Sequence, residues 1–186
     1  HITSDGWSMG ILIKELLLLY NAYIKGETNP LTPLHTQYKD YAAWQQDQLT
    51  SNQLQQHKTY WLQQFAGEIP VLELPADNLR PALKTYNGGA IHKIISSKLS
   101  KGLKALSQKQ GGTLFMGLLA TVNALLYRYT NQEDIIIGSP TAGREHVDLE
   151  NQIGFYVNTL ALRTQFNGAD SYKELLEKVK QVTLEA

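Results

Sequence analysis

Between Glu68 and Asn87 the chain loses all apolar periodicity, and Pro70, Pro75 and Pro81 interrupt it. Proline has no N–H to give to a helix interior or to a central ladder, so neither element runs through such a stretch. The segment therefore reads as a connection. It divides the 186 residues into a part before it and a part after it.

The first part reads as helical. Trp7 to Lys25 has helical spacing. Ile11, Leu12, Leu16, Leu19, Tyr20 and Tyr23 form its apolar face, Ser8, Glu15, Ala22 and Lys25 are expected to point outward, and Gly26 supplies the stop. Ser4 or Asp5 is placed to cap it. After a loop stiffened by Pro30 and Pro33, two Gln-rich helices are expected, Tyr38 to Leu49 and Ser51 to Phe65. Tyr41, Ala42, Trp44, Tyr60, Trp61, Leu62 and Phe65 are their expected buried faces.

The second part alternates. A strand is expected at Ala90 to Ser96, a helix at Leu99 to Gln110 closed by Gly111-Gly112, and a helix at Leu114 to Tyr129 capped by Thr113. Leu118, Val122, Leu125 and Leu126 are its core candidates. Asp134 to Gly138 and Phe155 to Phe166 read as strands, with a polar loop between them, and helix returns after Ser171. Strand, helix, helix, strand, strand, helix makes an α/β layered unit.

Charge and composition remove several functions. Seventeen basic residues balance seventeen acidic ones, whereas a polyanion binder carries a basic excess, so no nucleic acid is expected. There is no cysteine, which removes thiol nucleophiles and thiolate metal sites. The most apolar stretch, Ile11 to Ile24, contains Lys14, Glu15 and Asn21 and is too short for a membrane span. A cytoplasmic location is expected. His35, His57, His92 and His146 have no partners at metal-ligand spacing, so no metal is expected. The chain opens at His1 without an initiator Met and its last helix lacks a stop signal, so a segment of a longer polypeptide is expected.

His1 and Asp5 stand four residues apart around the Ser4-Asp5-Gly6 turn. Imidazole exchanges a proton near neutral pH without a large pKa shift, and a nearby carboxylate orients the ring or serves the scaffold. Alone, His-x-x-x-Asp-Gly is a weak pattern. Its surroundings strengthen it. His1-Ile2-Thr3-Ser4-Asp5-Gly6-Trp7-Ser8-Met9-Gly10 is similar to the active-site motif of the condensation domains of nonribosomal peptide synthetases, His-His-x-x-x-Asp-Gly, with His1 as its second histidine. Tyr38-Lys39-Asp40-Tyr41-Ala42-Ala43-Trp44 resembles that family's Tyr-x-Asp-Tyr-Ala-x-Trp motif. Ile153 to Arg163 resembles its Ile-Gly-x-Phe-Val-Asn-Thr motif running to Arg, and Gly138 to Arg144 also has the family's character. The motifs occur in the family's order.

The resemblance implies a chloramphenicol-acetyltransferase-like α/β fold with two lobes, of which this chain is the central part. Residues 1–75 would close the first lobe, 76–87 would connect, and 88–186 would open the second. It implies amide-bond formation between a carrier-bound aminoacyl or peptidyl thioester donor and the amine of a carrier-bound acceptor. Both substrates ride on the phosphopantetheine arms of upstream and downstream peptidyl carrier domains, beside an adenylation domain, with no cofactor bound directly.

His1 would be the catalytic residue. Asp5, Gly6 and Arg144 would shape the motif loop: Asp5 in an ion pair with Arg144, or less favourably with Arg163, and Gly6 by letting the backbone approach the reactants closely. Trp44, Asn158 and Arg163 are further candidates for site support, although a tryptophan on an amphipathic helix is ordinarily core. The motif resembles the subtype that joins an L-configured donor to an L-configured acceptor. A coenzyme A-dependent HxxxD acyltransferase and a non-catalytic docking domain are the alternatives. The isolated 186-residue segment is expected to be inactive and to expose the apolar faces of Trp7 to Lys25 and Phe155 to Phe166.

Overall fold

The computed structural model describes residues 2–78 and 81–186. Six helices and two strands occur in the described residues, in the order α1 (Gly6–Ile24), α2 (Tyr38–Thr50), α3 (Gln55–Gln64), α4 (Ser97–Lys109), α5 (Leu114–Thr130), β1 (Asp134–Thr141), β2 (Asn158–Gln165) and α6 (Tyr172–Glu185). Short 3-10 turns lie at Asn52–Leu54 and Val147–Leu149. β1 and β2 pair in a two-stranded sheet. The Phe166 N–H donates to the Glu133 carbonyl at 2.9 Å, a register that makes the pair antiparallel.

The chain forms two compact units. One is His1–Gly67 with Ser139–Leu160, the other Glu68–Gly138 with Ala161–Ala186. The first break falls where the proline-interrupted stretch begins. Ser139–Leu160, which lies well beyond that stretch in sequence, nevertheless packs with the N-terminal unit.

In the second unit α5 packs against both α4 and α6. Its start is fixed by Thr113, whose hydroxyl accepts from the Met116 N–H at 3.2 Å. Ser171 and Glu174 form a reciprocal capping box at the head of α6, which satisfies two donors that a helix start leaves free. Met116, Leu119 and Ala120 of α5, Leu175, Leu176 and Val179 of α6, Ile135 of β1 and Leu162 of β2 are the buried core. The expected core residues Leu118, Val122 and Leu125 are instead exposed. The small residues decide the contact face: a Cβ added to Gly117 would lie 2.1 Å from the Ser107 Oγ. α4 therefore sits on the Gly117 side, where backbones approach closely, and the leucine ridge turns away.

No strand forms at 90–96, contrary to expectation, and Ile91 and Ile94 are exposed. A strand is stable only beside a partner ladder, and among the described residues that segment has none.

In the first unit, Ile11 of α1 is buried and Leu12, Leu16, Tyr20 and Tyr23 are exposed, as expected of this segment; Ser8 and Ala22, expected to point outward, are buried instead. Ser8 is drawn inward by its hydrogen bonds to Asp5 and the Gly154 carbonyl. α2 and α3 have no fully buried residue. Tyr41, Tyr60, Trp61 and Phe65 are half-buried, while Ala42, Trp44 and Leu62, expected inside, are exposed. No described helix is long and apolar enough to cross a membrane.

Candidate functional site

Asp5 is the N-cap of α1. Its extended backbone (φ −122°, ψ −178°) lets the carboxylate fold back onto the helix start. Oδ1 accepts from the Ser8 N–H at 2.8 Å and from the Ser8 hydroxyl at 2.7 Å. Oδ2 accepts from the Tyr156 N–H at 3.1 Å. The Arg144 guanidinium completes the set at 3.2 Å, with both side chains 2% exposed. An ionised carboxylate offers about four lone-pair sites, and here four donors take them. Burial works to raise the Asp5 carboxyl; the two Ser8 bonds, the Tyr156 N–H and the Arg144 charge outweigh it. The carboxyl is held well below the ordinary carboxylate range. It stays ionised and saturated, so it is a fastener and not a proton carrier.

Arg144 is fixed as firmly. Its Nη1 donates to the Gln152 carbonyl at 2.8 Å and also to the Leu149 carbonyl. Its Nη2 reaches the Ser8 Oγ at 3.0 Å as well as Asp5. The guanidinium carbon lies 4.1 Å from the centre of the Tyr156 ring, a cation–π contact in a water-poor place. Gln152, also buried, donates to the Thr36 carbonyl at 2.8 Å and accepts from the Tyr156 hydroxyl. Trp7 donates its indole N–H to the Glu150 carbonyl at 2.9 Å. Together these bonds tie the 4–8 turn and Thr36 to the 143–156 segment.

Two glycines permit the approach. Gly143 has φ +62°, and a Cβ there would stand 2.2 Å from the Tyr156 carbonyl oxygen. A Cβ at Gly154 would stand 2.3 Å from the Tyr38 ring. Gly143→Ala combines backbone strain with a backbone clash that no rotamer relieves. It should lower the unfolding free energy by about 2–4 kcal/mol, read as a shifted urea midpoint for the whole domain; an unchanged midpoint would contradict the close approach.

Beside this core runs a groove of about 930 Å³. Tyr41, Trp44, Gln45 and Gln48 of α2 form one wall, and Tyr156, Asn158 and Leu160 line the other. Trp44, expected as core, is 55% exposed and faces this space. Tyr41 and Tyr156 pack together in the wall with ring centres 4.6 Å apart, and Tyr38 packs edge-on against Tyr156. Burial pushes both the Tyr41 and the Tyr156 hydroxyls up, so both stay neutral at ordinary pH; Tyr156 donates to Gln152, and Tyr41 accepts from Gln45 at 3.1 Å.

The other expected site residues fall as follows. His1 lies outside the described residues. Gly6 opens α1, and no protein atom lies within 4 Å of where a Cβ would stand; the close approaches within the protein are those of Gly143 and Gly154. Arg163 holds Asp134 with Nε–Oδ1 at 3.0 Å and Nη2–Oδ2 at 2.6 Å, so Asp5 is not its carboxylate. Burial would raise Asp134, but Arg163 and Gln165 together hold it low. Arg163 also donates to the Glu68 carbonyl at 3.0 Å, which makes it a fastener of the second unit. Asn158 opens β2 on the exposed side of the groove, and its Oδ1 accepts from the Thr159 N–H at 2.8 Å. Ser8, Gln152 and Tyr156 join the site without having been expected there. The spacing Asp5-x-x-Ser8 carries a signal for the first, since an N-cap aspartate bonds the residue three places on.

A buried carboxylate–guanidinium pair thus fixes the start of α1 against the 144–156 segment. The family model described as "Condensation domain" matches residues 1–186, and the chain belongs to that family. It is 44% identical over 186 residues to bacitracin synthase 1 of Bacillus licheniformis, covering all of this chain and 3% of that protein. It is likewise 44% identical over 186 residues to malpinin synthetase of Mortierella alpina, covering all of this chain and 2% of that protein. Among solved structures it resembles the X-domain in complex with OxyB from teicoplanin biosynthesis, with a TM-score of 0.88 and 26% identity over 99% of this chain and 42% of that one. It also resembles the first condensation domain of the CDA synthetase, with a TM-score of 0.75 and 21% identity over 100% of this chain and 40% of that one. The fold is therefore the chloramphenicol-acetyltransferase-like fold of condensation domains. The chain spans less than half of those solved domains and a few per cent of its synthetase relatives.

Proposed function

We propose that the chain is the central part of a nonribosomal peptide synthetase condensation domain that forms an amide bond. The acceptor amine nitrogen attacks the donor thioester carbonyl carbon. The tetrahedral intermediate then expels sulfur, so a C–N bond replaces the C–S bond and the freed pantetheine thiol takes up a proton. His1 takes the proton that the amine sheds, or hydrogen-bonds the amine and the intermediate. Aligning two tethered reactants supplies much of the rate. The carrying observation is the saturated Asp5 clamp: four donors fix the carboxylate four residues after His1, and with it the turn.

Both substrates arrive on phosphopantetheine arms of an upstream donor and a downstream acceptor carrier domain, with an adenylation domain adjacent. No cofactor is held by the condensation domain, neither nucleic acid nor membrane takes part, and the setting is cytoplasmic. The groove beside Tyr156 offers room for an extended acyl chain. Asn158 and Trp44 line it and would support the substrate, whereas Arg163 would act only through Asp134. An L-configured donor and an L-configured acceptor are the proposed pair.

The test is donor choice. The full synthetase polypeptide should form product from a carrier-bound aminoacyl donor and none from the same acyl group on coenzyme A. Equal turnover of the coenzyme A donor would move the protein to the HxxxD acyltransferases. One observation favours a second reading, a domain that docks a tailoring partner: the fit to the X-domain seen with OxyB is closer than that to the CDA condensation domain. The intact His1-x-x-x-Asp5-Gly6 weighs for catalysis. An absence of product from either donor, with the domain folded, would favour docking.

A further inference from the structure

Ser8 is 1% exposed, and its hydroxyl meets four polar groups. It lies 2.7 Å from Asp5 Oδ1 and 2.8 Å from the Gly154 carbonyl, both acceptors. It receives the Gly154 N–H at 3.1 Å and Arg144 Nη2 at 3.0 Å, both donors. A hydroxyl has one proton to give and two lone pairs to receive with. Both lone pairs are filled, and the proton has two claimants. The charged Asp5 is the stronger acceptor, so the Gly154 carbonyl is held mainly by geometry. The backbone N–H of Ser8 also bonds Asp5, at 2.8 Å.

No other described side chain touches the capping carboxylate, the Arg144 guanidinium and the 153–156 backbone together. Asp5 grips Arg144 and Tyr156, while Arg144 grips Asp5 and the 149–152 backbone. Ser8 closes the triangle through Gly154, where the Tyr38 ring leaves no space for a side chain. Without the hydroxyl, Asp5 keeps its ion pair and two backbone donors, Ser8 N–H and Tyr156 N–H, so the fold retains most of its clamp. It loses one of the two Ser8 bonds on Oδ1, and with it the tie from the carboxylate through Ser8 to Gly154. A carboxylate with one tie fewer lets its own backbone, and the turn around it, shift by a fraction of an ångström.

We propose that Ser8 is a positioning residue for the condensation step, acting through Asp5 on the turn that carries His1. This rests on the amide-forming reading above. The class of effect follows from geometry: small misplacements of a catalytic group far from any lost contact reduce rate steeply.

The experiment compares wild type, Ser8→Ala, Ser8→Cys and His1→Ala in the full synthetase, with both carriers loaded. Rates are normalised to folded protein from a denaturant melt. Ser8→Ala should lower kcat by about ten- to a hundredfold, with KM for each carrier changed by less than about twofold. Ser8→Cys keeps the size and a weak donor, and should fall between. A merely structural serine would lower the folded fraction and leave kcat per folded molecule at the wild-type value, which overturns the proposal. If Ser8→Ala does not fold, Ser8→Cys decides alone: reduced kcat at constant KM supports positioning, and wild-type kcat overturns it. If wild type itself forms no amide, the functional reading fails, and that outcome is separate because it does not depend on the Ser8 variants.

Discussion

Replacing His1 by alanine in the full synthetase should cut amide formation by about 10²–10⁴-fold, the range that a positioned general acid or base supplies. The size of the loss follows from what the rest of the site lacks. Asp5 cannot substitute as a base, because its carboxylate is ionised well below the ordinary range and all its acceptor sites are taken. Tyr41 and Tyr156 cannot either, since burial pushes both hydroxyls up. Among the described residues of the clamp, none exchanges a proton near neutral pH.

The residual rate should be well above background, because tethering and alignment do not depend on the imidazole. The measurement is product formed from loaded carriers in single turnover, which removes carrier loading and product release from the readout. A His1→Ala rate within about threefold of wild type would show that alignment alone suffices and that the histidine is not catalytic. A loss confined to KM would assign it to substrate binding instead.

How far the sequence discloses this site varies with the physics involved. Caps and breaks are legible because they are local. Thr113 and Ser171 cap their helices, Gly111 closes α4 with a positive φ, and the prolines mark the first break between units. The contact between Asp5 and Arg144 is present, and the motif resemblance names both residues. Burial is misread wherever the partner surface is remote in sequence. Ser8 looks like an outward polar residue, yet its four contacts come from Asp5, Arg144 and Gly154. Leu118 and Val122 look like core, yet Gly117 chooses the packing side by letting α4 approach. The extended run at 90–96 has strand-like residues but no described edge to join. Periodicity records that a face exists; which neighbour covers it depends on residues far away along the chain.

Arg144→Met should destabilise the domain by about 3–5 kcal/mol, since removing one member of a buried pair leaves the other charge uncompensated. Methionine keeps much of the volume and its sulfur can lie on the Tyr156 ring, so the loss is mainly one of charge and hydrogen bonding. Asp5→Asn strands the guanidinium but leaves it two carbonyl acceptors, and should cost less. The double variant Asp5→Asn/Arg144→Met should cost less than the two single losses together, because neither charge is then left buried without its counter-ion.

pH separates this from general packing damage. The folded carboxyl titrates below its unfolded value, which is near about 3.9. Its contribution is therefore complete above about pH 5 and is lost as pH falls below about 4 toward the folded value. The gap between wild type and Arg144→Met should narrow by Arg144's share alone as pH drops from about 6 to about 3.5, because the Ser8 bonds and the Tyr156 N–H, which lower the carboxyl more than the Arg144 charge does, persist in the variant. Urea midpoints of the full domain at these two pH values check it. A gap that stays constant would mean that Arg144 acts through packing on Tyr156, and the Asp5 clamp would then have to be read as a consequence of the fold and not a cause of it.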